Sequence, residues 1–206
     1  MSDSLERVRR IYDESADGYD RKILIPERLL FGSGRQWATS LAAGRTLEVA
    51  AGTGLNLPYY DQRVALTAVD LSGRMLAHAE RRAADLGRDV DCCVADAQDL
   101  PFDEESFDTV VATLALCSIP DDRAGTAEMA RVLKPGGRLV LLDHVRSPLA
   151  PVRAVQRALE PLFLRFEADH LLREPERRVQ EVGLDIEHCT RSKLGLVLRL
   201  VARKLT

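Results

Sequence analysis

Short apolar segments alternate with segments of helical periodicity through the middle of the chain. The apolar segments are nearly continuous, as buried parallel strands are: TLEVA (46–50), ALTAVD (65–70), DCCVAD (91–96), FDTVVATLAL (107–116) and GRLVLLDHV (137–145). One helix is predicted over 72–87, where Ser72 is a capping residue. A second is predicted over 121–133, capped by Asp121 or Asp122. This alternation indicates a doubly wound α/β sheet with helices on both faces.

The segments on either side of this core have other patterns. Residues 4–43 are predicted to form helices that are interrupted at DESADGYD (13–20) and at Pro26, which gives a helical cap over residues 1–43. The elements predicted after the core are a helix (149–166) and two strands, LDIEHCT (184–190) and LGLVLRLVARK (194–204). Residues 44–206 are therefore predicted to form one domain.

Composition narrows the class of protein. The 206 residues are 46% hydrophobic and 30% charged, which is typical of a globular chain with one sizeable core. A formal net charge of −3 argues against a nucleic-acid partner. The polar N-terminal segment MSDSLERVRR does not resemble a signal peptide, and no apolar run approaches the roughly 18 residues of a membrane span. We therefore expect a cytoplasmic monomer or homodimer.

The cysteines give no sign of a zinc site or a disulfide framework. They lie in apolar, strand-like segments without Cys-x-x-Cys spacing: Cys92, Cys93, Cys117 and Cys189. We expect reduced, mostly buried thiols and no bound metal.

The segment LEVAAGTGLN (47–56) runs from a predicted strand into a Gly-x-Gly turn. Gly52 and Gly54 lack a β-carbon, so a ligand can approach the backbone there, and a nucleotide-like ligand is the first hypothesis. The dinucleotide motif needs a third glycine, but Leu57 occupies its position. An NAD-dependent oxidoreductase therefore lacks part of its motif.

Four linked motifs carry a resemblance to a known family: LEVAAGTG, AVDLSGRML, VADAQDLPFDEESFDTVVA and ARVLKPGGRLVLLDHV. Over residues 12 to 145 the chain resembles the class I S-adenosylmethionine-dependent methyltransferases, particularly the ubiquinone/menaquinone branch. The resemblance implies a seven-stranded sheet in the order 3-2-1-4-5-7-6, with the last strand antiparallel. It also implies S-adenosylmethionine as cofactor, S-adenosylhomocysteine as product and no metal.

The resemblance implies a cofactor site at the carboxyl ends of the strands. The predicted cofactor-binding residues are Tyr19, Glu48, Ala50, Gly52, Gly54, Asn56, Asp70, Leu71, Met75, Asp96, Ala97, Thr113 and Leu114. Glu48 and the two glycines would frame the methionine half, and Ala50 stands where the family usually has a glycine. Leu71 and Met75 would flank the adenine.

Two aspartates in this set have alternative interpretations. Asp70 follows a strand, where its two oxygens can accept both ribose hydroxyls, or it caps the helix that begins near Ser72. Asp96 resembles the residue that binds the adenine amino group, with the Ala97 amide nearby, or it stabilises a turn.

Several residues are candidates for enclosing the site and for catalysis. Tyr12 or Tyr19 could close over the cofactor and exclude water, although Tyr12 could equally serve helix packing. His144, at the end of the fifth strand, is the first candidate for a base because an ordinary histidine pKa near 6.5 suits proton removal; the alternative is a structural histidine. His170, beside Asp169 and Arg173, is the second candidate.

The acceptor is predicted to be a small molecule. The motifs look closest to methyltransferase-like thiol methyltransferases, so a thiol is the first candidate for the acceptor. A thiol also needs little help from the protein to ionise to the nucleophilic thiolate. A lipid amine or a quinone is the alternative, because the apolar helix at 149–166 carries Arg153, Arg157 and Arg165 and could contact a membrane surface. A non-catalytic cofactor-binding protein is the hypothesis from another class.

Overall fold

The computed structural model describes residues 3–205, which form a three-layer α/β structure. The strands are β1 (Arg45–Val49), β2 (Ala65–Asp70), β3 (Val90–Val94), β4 (Phe107–Thr113), β5 (Leu133–His144), β6 (Leu184–Ser192) and β7 (Val197–Lys204). The α-helices are α1 (Asp3–Ser15), α2 (Tyr19–Leu30), α3 (Gly34–Ser40), α4 (Gly73–Asp85), α5 (Asp122–Val132), α6 (Ala150–Glu167) and α7 (Pro175–Glu181).

The seven strands form one sheet in the order β3-β2-β1-β4-β5-β7-β6, which confirms the predicted topology. The first five strands are parallel, and β7 pairs antiparallel to both β5 and β6. The strand order reverses at β1, whose neighbours are β2 and β4. Ligands of open α/β sheets bind at the carboxyl ends of the strands beside such a reversal.

The core lies on both faces of the central strands, and these strands are apolar almost throughout. Leu47 and Val49 of β1 are fully buried, as are Val110 of β4 and Leu141 of β5. Helices cover both faces, so each residue of a central strand packs against a neighbouring layer.

Side-chain caps define where the two central helices begin. The Ser72 hydroxyl accepts a hydrogen bond from the Met75 amide at 3.1 Å, as predicted for the start of α4. Asp121, rather than Asp122, caps α5 and accepts bonds from the amides of Arg123 and Ala124.

Several element boundaries differ from the predictions. β4 ends at Thr113 rather than at residue 116, because Leu114 adopts a left-handed backbone with φ +55° and the chain turns there. β3 ends at Val94, which places Asp96 in the following turn. β5 begins at Leu133, four residues before the predicted start, and pairs there with Phe107.

The N-terminal helices correct another prediction. The interruption within 13–20 is present, as a 3-10 turn over Ala16–Gly18 between α1 and α2. Pro26, however, lies inside α2 rather than ending it. Proline removes one backbone hydrogen bond from a helix interior, and α2 continues past it to Leu30.

The cysteines are free thiols in the described structure, but they are less buried than predicted. Cys117 is buried, Cys92 and Cys93 are half-buried, and Cys189 is exposed because β6 is an edge strand. Within residues 3–205, no helix combines the length and the apolar character that crossing a bilayer requires.

Candidate cofactor and acceptor site

A cavity opens at the carboxyl ends of β1, β2 and β4, beside the reversal of strand order. About 760 Å³ in and in front of it is free of protein atoms, part of it open solvent. Most of the predicted cofactor-binding residues line it: Tyr19, Ala50, Gly52, Asp70, Leu71, Met75, Asp96, Ala97, Thr113 and Leu114. The fold thus brings together residues from five separate parts of the chain.

The turn after β1 presents its backbone to the cavity. Ala50 has a left-handed backbone with φ +55°, and Gly52 follows with φ +59°. A β-carbon on Gly52 would meet no atom within 4 Å, so the space in front of this residue is open for a ligand.

Gly54 is outside the residues that line the cavity, and its predicted contact with the cofactor stays a prediction. A β-carbon at this position would approach the Cα of Ala79 to 3.0 Å and a methyl group of Leu57 to 2.7 Å. The glycine therefore allows the turn to pack against α4.

Glu48 and Asn56 form a buried layer behind the cavity instead of lining it. The Asn56 amide donates to Glu48 Oε1 at 2.9 Å. Burial raises the pKa of Glu48 to about 7, against the lowering effects of Tyr60, Arg35 and Asn56. The Tyr60 hydroxyl lowers the pKa of Glu48 as a hydrogen-bond partner, so Glu48 supports the turn after β1 from behind the cavity.

The two interpretations of Asp70 are compatible. Its Oδ2 accepts from the Gly52 amide at 2.8 Å and its Oδ1 from the Ser72 amide at 2.9 Å. Burial raises the pKa of this carboxyl to about 6 despite those bonds. Each oxygen keeps a further lone pair that can accept a ligand hydroxyl.

Asp96 is engaged in its own turn. Its Oδ1 accepts from the backbone and side-chain amides of Gln98, both at 2.9 Å. The carboxylate still lines the cavity beside Ala97, so the turn interpretation and the ligand interpretation are both compatible with its position.

Arg35 is a site residue that the sequence did not reveal. Its buried guanidinium, on α3, lines the cavity and donates two bonds to Glu27, one to Asn56 and one to Thr113. Glu27 is eight residues earlier on α2, and no local motif links the two positions. This cation is suited to a carboxylate ligand.

Tyr12 and Tyr19 both line the cavity, with ring centroids 6.4 Å apart. Desolvation raises the pKa of each phenol, and the nearby Cys117 adds to the effect. Both hydroxyls are therefore neutral at physiological pH, as suits residues that cover a cavity.

A second group of polar side chains surrounds Cys117, just beyond these tyrosines. His144 Nε2 lies 3.0 Å from both carboxylate oxygens of Asp169. The Cys117 sulfur belongs to the same cluster, in which the polar atoms lie within 4.8 Å of one another. Asp143 is buried beneath it and accepts from the backbone amides of His144 and Cys117.

The protonation of His144 differs from the predicted state. Burial lowers the pKa of His144, but the charge and hydrogen bonds of Asp169, with the charge of Asp143, outweigh it and raise the pKa from 6.5 to about 9. Burial and the same two carboxylates raise the pKa of the Cys117 thiol well above its usual value. At neutral pH this site therefore holds an imidazolium, a carboxylate and a neutral thiol.

His170 is separated from this cluster, although it is next to Asp169 in sequence. Its backbone amide donates to the Cys117 carbonyl, but its ring lies in a different polar cleft with Glu160 and Arg173. Burial and Arg173 lower the pKa of His170. The structure does not bring this ring to the cofactor cavity.

The fold and the cavity define an α/β protein that binds a nucleotide-like ligand at the switch point of its sheet. A family model described as a methyltransferase domain matches residues 47–141. The phosphatidylethanolamine N-methyltransferase of Cereibacter sphaeroides is 42% identical over 118 residues, which cover 56% of this chain and 58% of that protein. The demethylmenaquinone methyltransferase of Beutenbergia cavernae is 35% identical over 177 residues, which cover 82% of this chain and 71% of that protein.

Solved structures agree with the fold. Geranyl diphosphate C-methyltransferase from Streptomyces coelicolor, in a complex with S-adenosyl-L-homocysteine, superposes with a TM-score of 0.79 over 99% of both chains at 17% identity. The chain belongs to the class I S-adenosylmethionine-dependent methyltransferases, in the ubiquinone/menaquinone branch. It spans 58% of the length of the Cereibacter protein and 62 to 64% of two other demethylmenaquinone methyltransferases.

Proposed function

We propose that the chain transfers a methyl group from S-adenosylmethionine to the amine of a lipid. The observation that carries this proposal is the cluster beyond the two tyrosines, where Asp143 and Asp169 surround a single imidazole. Two carboxylates beside one cation favour a positively charged group, and a lipid amine is an ammonium at neutral pH.

The cavity residues have complementary roles toward the cofactor in this proposal. Asp70 would accept hydrogen bonds from the ribose hydroxyls, and Glu48, in the layer behind the cavity, would support the turn that frames the methionine half. Arg35 would pair with the carboxylate of that half. Leu71 and Met75 would flank the adenine, with Asp96 and Ala97 at its edge.

When bound, S-adenosylmethionine supplies a methyl group activated by a sulfonium, so the protein has to align the acceptor and remove its proton. The ammonium would lie beside Asp143 and Asp169, next to His144, which keeps its pairing with Asp169. After losing its proton to solvent, His144 has a basicity close to that of an amine, because its pKa is about 9. It would then accept one proton of the ammonium, and the free amine would attack the methyl carbon.

The relatives support a lipid-soluble acceptor but divide between two chemistries. The relative that is 42% identical is a phosphatidylethanolamine N-methyltransferase, which favours the amine. The relative that matches 82% of this chain is a demethylmenaquinone methyltransferase, so a quinol is the second candidate. The thiol acceptor that the motifs placed first has no support from these relatives.

The direct test is product analysis with labelled S-adenosylmethionine and three acceptors: phosphatidylethanolamine, demethylmenaquinol and a long-chain alkyl thiol. We expect N-methylated phosphatidylethanolamine as the main product. Label found only in the quinol or only in the thiol would overturn the amine proposal.

Substitution of His144 tests the mechanism, and the same substitution of His170 is the control. His144→Ala should lower kcat on the amine by about 10²–10⁴-fold, the usual range for loss of a general base. His170→Ala should change kcat by less than about threefold, because this ring lies in the other cleft. Equal losses in both variants would contradict the role of His144.

A further inference from the structure

α6 carries an apolar stripe whose side chains are exposed. Val155, Leu159, Leu162 and Phe166 are 42–59% exposed, and their spacing of four, three and four residues places them on one side of the helix. A stripe of this kind usually faces a protein core, but in α6 the adjacent side, which carries the buried Gln156, performs that role.

A second helix close to this stripe has the same character. Leu24, Ile25 and Leu29 of α2 are exposed, and no residue of α2 is fully buried. An ion pair between Lys22 and Glu167 joins α2 to the last turn of α6. We call the exposed residues of α2 and α6 together the two-helix surface.

The charges of the two-helix surface have one sign. Among the described residues of these helices, every exposed charged side chain is basic: Arg21, Lys22, Arg28, Arg157 and Arg165. Their acidic residues are only partly exposed, and Glu27 and Asp20 are paired with Arg35 and Arg82. This pattern stands out in a chain whose formal net charge is −3.

The two-helix surface leads directly to the candidate acceptor site. Tyr19, the first residue of α2, lines the cofactor cavity, and Leu24 follows little more than one helical turn later. At the other side, Ala168 ends α6 in a left-handed conformation, and the next residue is Asp169, the partner of His144.

We propose that the two-helix surface docks the protein on an anionic lipid bilayer and presents the acceptor site to lipid headgroups. Apolar side chains enter the region between headgroups and acyl chains, while Arg21, Arg28 and Arg165 contact anionic headgroups. This inference deepens the proposed function and rests on it only for the identity of the lipid acceptor.

The test is co-sedimentation with vesicles of 70% phosphatidylcholine and 30% phosphatidylglycerol, beside vesicles of phosphatidylcholine alone. We expect the wild-type protein to bind the anionic vesicles at least about tenfold more strongly and to lose part of that binding at high salt. Absence of wild-type binding to the anionic vesicles would overturn the proposal.

Two double variants distinguish an effect of the two-helix surface from an effect of net charge alone. Leu24→Glu with Phe166→Glu changes residues that are 63% and 59% exposed on the two-helix surface. Leu194→Glu with Val94→Glu changes residues that are 65% and 59% exposed elsewhere, and it adds the same charge. We expect the first variant to lose binding about tenfold and the second less than about twofold. Equal losses would contradict a localised docking surface.

A soluble acceptor distinguishes this inference from the proposed function. With a short-chain phosphatidylethanolamine below its micelle concentration, the Leu24→Glu/Phe166→Glu variant should keep the wild-type rate. Turnover of this lipid without vesicle binding by the wild type would refute only the docking surface. Vesicle binding without methylation of any amine lipid would refute only the proposed acceptor.

Discussion

Ala50 has a left-handed backbone that disfavours its side chain. It has φ +55° at the entrance to the cofactor cavity, where an alanine is disfavoured by about 1–2 kcal/mol. Glycine would remove this strain but would increase the entropy of the unfolded chain. We expect Ala50→Gly to raise the free energy of unfolding by about 0.5–1 kcal/mol, as measured by urea denaturation.

The neighbouring alanine is the control for this change. Ala51 is buried and does not have a positive φ, so glycine there has the entropic cost without any relief of strain. Ala51→Gly should lower the free energy of unfolding by about 0.5–1 kcal/mol. The prediction for Ala50 is wrong if both variants are destabilised equally.

His144 gives a prediction on pH. Because its pKa is raised from 6.5 to about 9 in the folded state, its pairing with Asp169 stabilises the protein fully below pH 6.5. This stabilisation is lost as the pH rises through 9. Asp169→Asn should reduce the loss over this interval, because Asp169 contributes more than Asp143 to raising the pKa of His144 against burial. NMR titration of the imidazole should show the lower pKa directly.

Asp169→Glu is the matched variant, because it keeps the charge and should keep the pKa of His144 above 6.5. A pKa that stays near 9 in Asp169→Asn would show that Asp143, rather than Asp169, holds the proton on the ring.

At the scale of elements, α6 depends on one buried polar side chain. Gln156 accepts a bond from the Ser147 amide and donates to the carbonyls of Val145 and Leu171. Gln156→Ala leaves these buried backbone groups without partners, which should lower the free energy of unfolding by about 2–3 kcal/mol. Arg157→Ala changes an exposed neighbour on the same helix and should alter stability by less than about 0.5 kcal/mol in the same denaturation experiment.

The strands show what the pattern of apolar residues can and cannot predict. Apolar segments located the centres of the central strands, because a strand that is covered on both faces must be apolar on both faces. The end of β4 was missed, since Ala115 and Leu116 are buried as well although they no longer belong to the sheet. Apolarity reports burial, whereas the end of a strand is set by backbone conformation, here the positive φ of Leu114.

For the whole molecule, binding of the demethylated cofactor should stabilise the fold. The cavity joins α1, α2 and the ends of β1, β2 and β4, so the ligand contacts groups that are apart in the unfolded chain. At about 100 times its Kd, S-adenosylhomocysteine should stabilise the protein by about 2.7 kcal/mol and raise the Tm by about 5–10 °C. Differential scanning fluorimetry measures this shift, with NAD at the same concentration as a control that should leave the Tm unchanged. A shift with NAD alone would contradict the cofactor assignment.

The sequence by itself determined the alternation of strands and helices and the switch-point turn at Gly52. These features follow from local chemistry: an apolar run buries itself, a glycine permits a turn, and a residue after a strand lies at the ligand-binding edge of the sheet. The family resemblance of the sequence implied most of the other predicted residues that line the cavity. Only the tertiary structure decided that Arg35 enters the cavity, that Gly54 packs against α4 and that His144 is held as an imidazolium. Asp169 lies twenty-five positions from His144 in sequence, and a pKa depends on charges in space, so the folded chain had to bring that carboxylate within 3.0 Å before the protonation of the histidine could be known.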